Sequence, residues 1–536
     1  MRSVLRHDEI QISVESKGFY KSLNKTVALT PKILIVSLIF WVGIYPDTAG
    51  SLLMETQLLS TKLFGGWYIY ATAFFMIICM LLALFPKIGK LRLGSEGEQP
   101  EFRTFTWLSM MFGAGIGIGM LTYSTAEPIF HLSQNPDTIR GFTTSLNSDN
   151  VRSAFKWTLL HNGLTAWSCY GVVGISLAYM SYNQGLPLSI RSVLQPIFGR
   201  HVSGPLGNII DIVAILATIV GLSVTIGYGV SQFASGLFNI SKFDWLVGEN
   251  AKPTIQAQIL GLLLIVGASC LSAMSGIHKG IKWLSNINMI LSLVLILSFV
   301  FFGSSFIAFK TFFVTIFDYV MALPKMSFTV WDSNQTSVES ELSSWQSSWT
   351  IFYWAWWIAF APFVGFFLAR VSRGRTIREY VLGAIIVPSL ICLVWFSFIG
   401  GTAIDLELSG KANGAIVNTD ISNQLFATIN LFISENFASI LSFIVVTLLL
   451  TFLVTSADSG ILIINTLASG GDGDHKRGKH IIVWGIIFSA LIGTLLYAGG
   501  MDALRSVMII GALPFSLVML LMTIALIKTF LKGRSL

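Results

Sequence analysis

The sequence predicts an all-α polytopic membrane protein of about twelve transmembrane helices, two leading helices followed by a five-plus-five inverted-repeat core. Three observations predict it. Of 536 residues, 54% are hydrophobic and only 11% are charged, against roughly 25% charged in an ordinary soluble domain. Apolar runs of about 20 residues, the length that crosses a bilayer, recur along the whole chain. Two of these runs are interrupted in mid-span, and each is the first of a group of five. The net charge of +7 sits in short connectors and not on one surface, which argues for membrane topology and against a nucleic-acid partner. Cys79, Cys169, Cys270 and Cys392 each lie within an apolar run and read as packing residues.

The polar stretch 1–29 carries Asp8, Glu9 and Glu15 with no early apolar region, so it reads as a cytoplasmic tail and not as a cleaved signal peptide. Runs near 30–46 and 66–86 supply the two leading helices and, with their connector, fill 30–104. Runs near 105–128, 155–182, 205–238, 255–274 and 283–308 make a first five-helix repeat, 105–308. A periplasmic connector, 309–344, contains Phe312, Phe313, Ile316, Phe317 and Val320 at helical spacing. Its part 309–323 reads either as an amphipathic helix lying in the interface or as a plain loop. Runs near 345–370, 377–400, 437–468, 480–500 and 503–531 make the second repeat, 345–531, and 532–536 a short cytoplasmic tail. An odd number of crossings places the second copy upside down relative to the first. Lys87, Lys90, Arg92 and Arg103, then Arg370, Arg373, Arg375 and Arg378, then Lys476, Arg477 and Lys479 crowd three even-to-odd connectors. These connectors and both termini are therefore expected on the cytoplasmic side.

The third run holds Gly113, Gly115, Gly117 and Gly119, and each glycine in a helix interior costs about 1 kcal/mol relative to alanine. That stretch is expected to unwind or to permit close approach. The eighth run carries Pro362 at mid-span, which predicts a kink or a break.

Trp349, Tyr353, Trp356 and Phe360 recur at i, i+4, i+7 and i+11, one face of a helix. A cluster of aromatic faces binds a cation that cannot donate hydrogen bonds, by about 0.5–2 kcal/mol per ring. The competing reading is an interfacial aromatic belt. The fourth run adds Trp157, Trp167 and Tyr170. The tenth run places Thr455, Ser456, Asp458 and Ser459 in an otherwise aliphatic helix. Hydroxyls beside an unwound glycine stretch suit a small dehydrated cation, unless they bond back to their own helix. Asp458, Glu127, Asp211 and His161 are polar groups at depth, which mark either a pathway or satisfied structural contacts. The chain contains no zinc-binding His-Glu-x-x-His and no phosphate-cradling Gly-x-x-x-x-Gly-Lys-Ser/Thr, so it is not expected to be an enzyme or to carry a cofactor.

Several blocks carry a family resemblance: Gly115-Ile-Gly117-Ile-Gly119 followed by Ala126-Glu127-Pro128, Gly185-Leu-Pro-Leu-Ser-Ile-Arg191-Ser, and Asp211 with Ala217-Thr218 and Gly227-Tyr-Gly229. More specific are Phe352-Tyr-Trp354-Ala-Trp356-Trp357-Ile-Ala with Pro362-Phe-Val-Gly365, Ala369-Arg370-Val-Ser-Arg373-Gly-Arg375-Thr-Ile-Arg378-Glu379, and Val454-Thr455-Ser456-Ala457-Asp458-Ser459. Together they resemble the betaine/choline/carnitine transporter family over nearly the whole chain. The resemblance implies a LeuT-like core in a bacterial inner membrane, often as a trimer, taking up a small quaternary-ammonium or sulfonium solute. It also implies sodium-coupled symport, with proton coupling or ion-independent exchange as the alternatives. By motif, the substrate site would fall on Trp167, Tyr170, Trp356 and Trp357. Asn162 and Phe360 stand where the family usually has tryptophans, which thins the aromatic box. A sodium site would map to the Gly113 and Ile116 carbonyl region with Phe452, Thr455 and Ser456. A second cation position matches Thr218, but Leu222 replaces the threonine expected one turn later. Little follows the last run beyond Lys528, Lys532 and Arg534, so no C-terminal osmotic sensor is expected.

Overall fold

The computed structural model describes residues 10–115, 117–275, 280–471 and 478–533. Every regular element among them is helical, and nine helices are long and apolar enough to cross a membrane. The principal helices in chain order are α1 (Lys25–Ile44), α2 (Pro46–Leu84), α3 (Thr104–Gly115), α4 (Ile118–Ser133), α5 (Val151–Asn162) and α6 (Leu164–Ala178). Next come α7 (Pro205–Ser241), α8 (Ile255–Ser275), α9 (Gly280–Phe302), α10 (Ser305–Phe328) and α11 (Ser337–Val371). The chain continues as α12 (Ile377–Leu408), α13 (Gln424–Phe432), α14 (Glu435–Ala468) and α15 (Gly478–Gly533).

Nine spans by length differ from twelve apolar runs for local reasons. The third and fourth runs are each split into two short halves, α3/α4 and α5/α6. The last two runs read as one helix, although Gly499 and Gly500 depart from helical geometry where the runs divide. At Gly500 the backbone is left-handed, with φ of 62°, a conformation that favours glycine. In α9 the apolar stretch Asn286–Phe302 falls just short of spanning length. The stretch 309–323 lies within the longer α10, which exposes Phe306, Phe309, Phe313, Phe317 and Val320 and buries Ala308, Thr311, Thr315 and Tyr319. Helix α2 begins 20 residues before its apolar run, in the polar stretch around Glu55, Gln57 and Lys62.

The mid-span interruptions fall differently from expectation. The third run does break, with Gly117 in extended backbone at the head of α4. The eighth run does not: α11 is helical straight through Pro362. Proline is tolerated in a bundle where neighbouring groups satisfy the freed backbone. The second break lies instead at Gly163, between α5 and α6. A Cβ there would sit 2.5 Å from the Leu159 carbonyl and 2.9 Å from the Tyr319 hydroxyl. That hydroxyl accepts the Leu164 N–H at 3.0 Å, so α10 caps the start of α6.

Helix α6 lies along α11, and α7 contacts α11, α14 and α15. The α6/α11 crossing depends on two glycines. A Cβ on Gly365 would lie 2.6 Å from Val173 Cγ1 and 3.1 Å from the Gly174 nitrogen. Gly365→Ala is therefore expected to cost about 1–3 kcal/mol through overpacking. Thermal unfolding in detergent checks this, and a midpoint equal to wild type would show that the crossing can open.

Two of the basic connectors meet. Leu93 N–H donates to the Arg375 carbonyl and Gly374 N–H to the Leu93 carbonyl, each at 2.8 Å, while Arg92 donates to the Gly374 carbonyl at 2.7 Å. They thus occupy one side of the bundle. Arg373 pairs with Glu98 at 2.5 Å. The Ser95 backbone N–H, with Arg373, holds the Glu98 carboxyl below the usual carboxylate range. Lys476 and Arg477 of the third connector lie outside the described residues.

Candidate functional site

Adjacent residues on a helix point roughly 100° apart, and α11 uses this to build two aromatic clusters. Trp357 faces α6, where its ring lies 5.3 Å from Trp167 and 4.8 Å from Tyr170, with those two 5.7 Å apart. Its indole N–H donates to the His161 carbonyl at 3.0 Å, two residues before the Gly163 break. Trp167 and Tyr170 are buried, while Trp357 is half-buried. Trp356 faces α4 and α7 instead. Its ring lies 5.9 Å from Tyr123 and 5.7 Å from Tyr228, and its N–H donates to Thr225 Oγ1 at 3.1 Å. A Cβ on Gly119 would come 3.4 Å from Trp356 Cη2, so the glycine after the α3/α4 break lets the backbone approach the indole.

The four rings expected in one box are thus divided three to one. Phe360 joins neither cluster: its ring pairs with Phe363 at 5.8 Å and lies against Gly221 of α7. Trp157 sits far along α5, 5.1 Å from Trp345, and donates to Asp137 at 3.3 Å. Trp349, Tyr353 and Trp356 are buried inside the bundle, which is not the placement of an interfacial belt.

Asn162 does not face the rings. Its Nδ2 donates to Glu127 Oε2 at 2.8 Å, and that oxygen also accepts the Tyr353 hydroxyl at 2.6 Å. The other carboxylate oxygen lies 2.7 Å from His161 Nδ1 and 3.4 Å from His131 Nε2. Glu127, His131 and His161 are all completely buried. Helices α4, α5 and α11 therefore converge on one carboxylate.

The residues named for a cation are partly assembled. A Cβ on Gly117 would lie 3.9 Å from the Phe452 ring and 4.0 Å from Ser456 Oγ, so this face of α14 meets the α3/α4 break. Gly113 meets nothing within 4 Å of its Cβ position. Gly115 ends α3, and Ile116 lies outside the described residues. The Thr455 hydroxyl bonds back to the Thr451 and Phe452 carbonyls at 2.9 and 3.1 Å. Thr218 likewise donates to Ala214 within α7. Asp458 accepts from Ser272 at 2.6 Å and Ser459 at 3.0 Å, fastening α14 to α8. Asp211 pairs with Arg191 at 2.5 Å, both buried, and holds the segment before α7. His131, Tyr123, Tyr228 and Arg505 were not singled out from the sequence. The i, i+4 spacing of Glu127 and His131 was the one available signal.

A helical bundle with interrupted helices around buried rings and hydroxyls is the architecture of a membrane transporter. The chain belongs to the betaine/carnitine/choline family of transporters, the BCCT family, whose profile matches residues 26–534. It is 38% identical over 497 residues to the glycine betaine transporter OpuD of Bacillus subtilis (strain 168), covering 92% of each chain. It is 35% identical to a glycine betaine/proline/choline/ectoine transporter of Vibrio parahaemolyticus, over 97% of this chain and 89% of that one. A glycine betaine transporter of Acinetobacter baylyi is 33% identical, over 95% of this chain and 74% of its own length. The protein is thus a multi-pass membrane transporter and not an enzyme.

Proposed function

We propose that the chain imports a small quaternary-ammonium or sulfonium compatible solute, of the glycine betaine, choline, carnitine or dimethylsulfoniopropionate type, across the bacterial inner membrane. Uptake is sodium-coupled symport by alternating access, on a LeuT-like five-plus-five repeat with both termini cytoplasmic. The observation that carries the substrate class is the trio of Trp167, Tyr170 and Trp357 beside the Gly163 break. Ring faces attract a methylated cation without needing its hydrogen bonds. Glycine betaine in the names of the three relatives supports the same reading. The rings touch one another, so a headgroup enters as Trp357, the most accessible of the three, moves aside.

Reconstituted vesicles test this. Radiolabelled glycine betaine, choline, carnitine or dimethylsulfoniopropionate should accumulate under an inward sodium gradient. No accumulation of any of them would sink the reading. Uptake driven by a proton gradient alone, or only into substrate-loaded vesicles, would replace sodium symport with proton coupling or exchange.

For the ion, Ser456 beside Gly117 supports a site at the α3/α4 break. Ser456→Ala should raise the sodium concentration for half-maximal uptake by roughly tenfold, the worth of one hydroxyl to a charged partner. Thr455→Ala should act in the same direction but less, because that hydroxyl already bonds to its own helix. Wild-type sodium dependence in both variants would remove the site.

A further inference from the structure

The carboxylate that joins α4, α5 and α11 does more than fasten them. Glu127 Oε2 is filled by Tyr353 and Asn162, and Oε1 faces Nδ1–H of His161 and Nε2 of His131. The carboxylate accepts from His161 Nδ1–H, which leaves His161 Nε2 to take the Thr350 hydroxyl at 3.0 Å. Both ring nitrogens of His131 are buried without a hydrogen-bond partner, Nε2 lying 3.4 Å from Glu127 Oε1. Two imidazoles beside one buried carboxylate, with both nitrogens of the His131 ring unfilled, form a place for a single additional proton.

The same groups hold the aromatic trio. Tyr353 and Trp357 stand one turn apart on α11; the first bonds Glu127 and the second bonds the His161 carbonyl. We propose that Glu127, His131 and His161 form a proton-binding site whose deprotonated state assembles the Trp357 box, so that the solute binds tightly only when that proton has left. The part concerning the solute rests on the function proposed above. With the proton gone, the cluster is anionic and Tyr353 is pinned; with it bound, the cluster is neutral and attracts a cationic head less. The proton comes from water. His131 lies 5.4 Å from Trp345 and 4.7 Å from Trp349, and these indoles line a cavity of about 110 Å³ together with Phe130 and Gln134. Among the described residues, the other ionisable groups around the cluster are Tyr123 of α4, Tyr228 of α7, Cys392 of α12 and Arg505 of α15, and Glu341 of α11 lines the cavity. Arg505 is the cation among them, and it is engaged with the Ser348 carbonyl at 2.7 Å and the Phe352 ring at 4.2 Å.

The test leaves the cluster intact. In the full chain in lipid nanodiscs, the five other histidines of the seven are replaced by glutamine and the two remaining rings are followed by nitrogen NMR. Both should change together in one shared step as the pH is lowered, and the Trp357 indole N–H, assigned with Trp357→Phe, should shift over the same step. Glycine betaine should bind up to about tenfold more weakly per pH unit below the step, and adding it at the step should release protons by the reciprocal linkage. Two rings that stay neutral throughout would overturn the proton site. A shared step that leaves the Trp357 signal unmoved would overturn its link to the box. Failure of glycine betaine to bind at any pH would instead count against the proposed substrate, while the ring and indole signals still decide the proton site.

Discussion

Trp357→Leu is expected to reduce glycine betaine uptake to near background. The substitution removes one ring face, worth about 0.5–2 kcal/mol to a methylated cation. It also removes the N–H that donates to the His161 carbonyl at 3.0 Å, worth about 0.5–1.5 kcal/mol net. Together these weaken binding by roughly five- to a few-hundred-fold. Trp356→Leu should weaken uptake less, because its ring packs on Tyr123 and Tyr228. Trp349→Phe should be tolerated, since a ring still fills the space against Phe130 at 4.4 Å. Initial-rate uptake and equilibrium binding of labelled glycine betaine measure all three. Equal, modest losses at the three positions would defeat the aromatic site.

Glu127→Leu should yield little folded protein. The leucine side chain accepts nothing, so the Tyr353 hydroxyl, the Asn162 amide and the His161 ring lose their shared acceptor. Each buried donor left unpaired costs about 1–3 kcal/mol, and the three lie on α5 and on α11, which also carries Trp357 of the box. Glu127→Gln keeps the shape but turns its own amide hydrogens towards donors, so an intermediate loss is expected. Size-exclusion profiles and thermal midpoints in detergent report both variants. A Glu127→Leu protein as stable as wild type would show that the carboxylate is not the knot that joins these helices.

Composition and hydropathy by themselves determined that this chain is an all-α membrane protein, because burial in lipid requires long apolar runs and those are visible residue by residue. The α3/α4 interruption was legible for the same reason: four alternate glycines weaken a helix locally. So was the aromatic face of α11, since a periodicity of 3.6 is written directly in the spacing. The meeting of residues distant in the chain was decided only by tertiary structure. Neighbouring Trp356 and Trp357 look alike in the sequence, yet α6 claims one and α4 with α7 the other. Pro362 predicts a kink or a break, and α11 stays helical through it, while Gly163 ends a helix because Tyr319 of α10 caps the next one. Asn162 reads as a lost indole and serves as a partner of Glu127. Thr455 reads either as an ion ligand or as bonded back to its own helix, and its hydroxyl donates to the Thr451 carbonyl. Hydropathy and period are local properties of a helix; the partner of each side chain depends on which helices lie beside it and on how each is rotated.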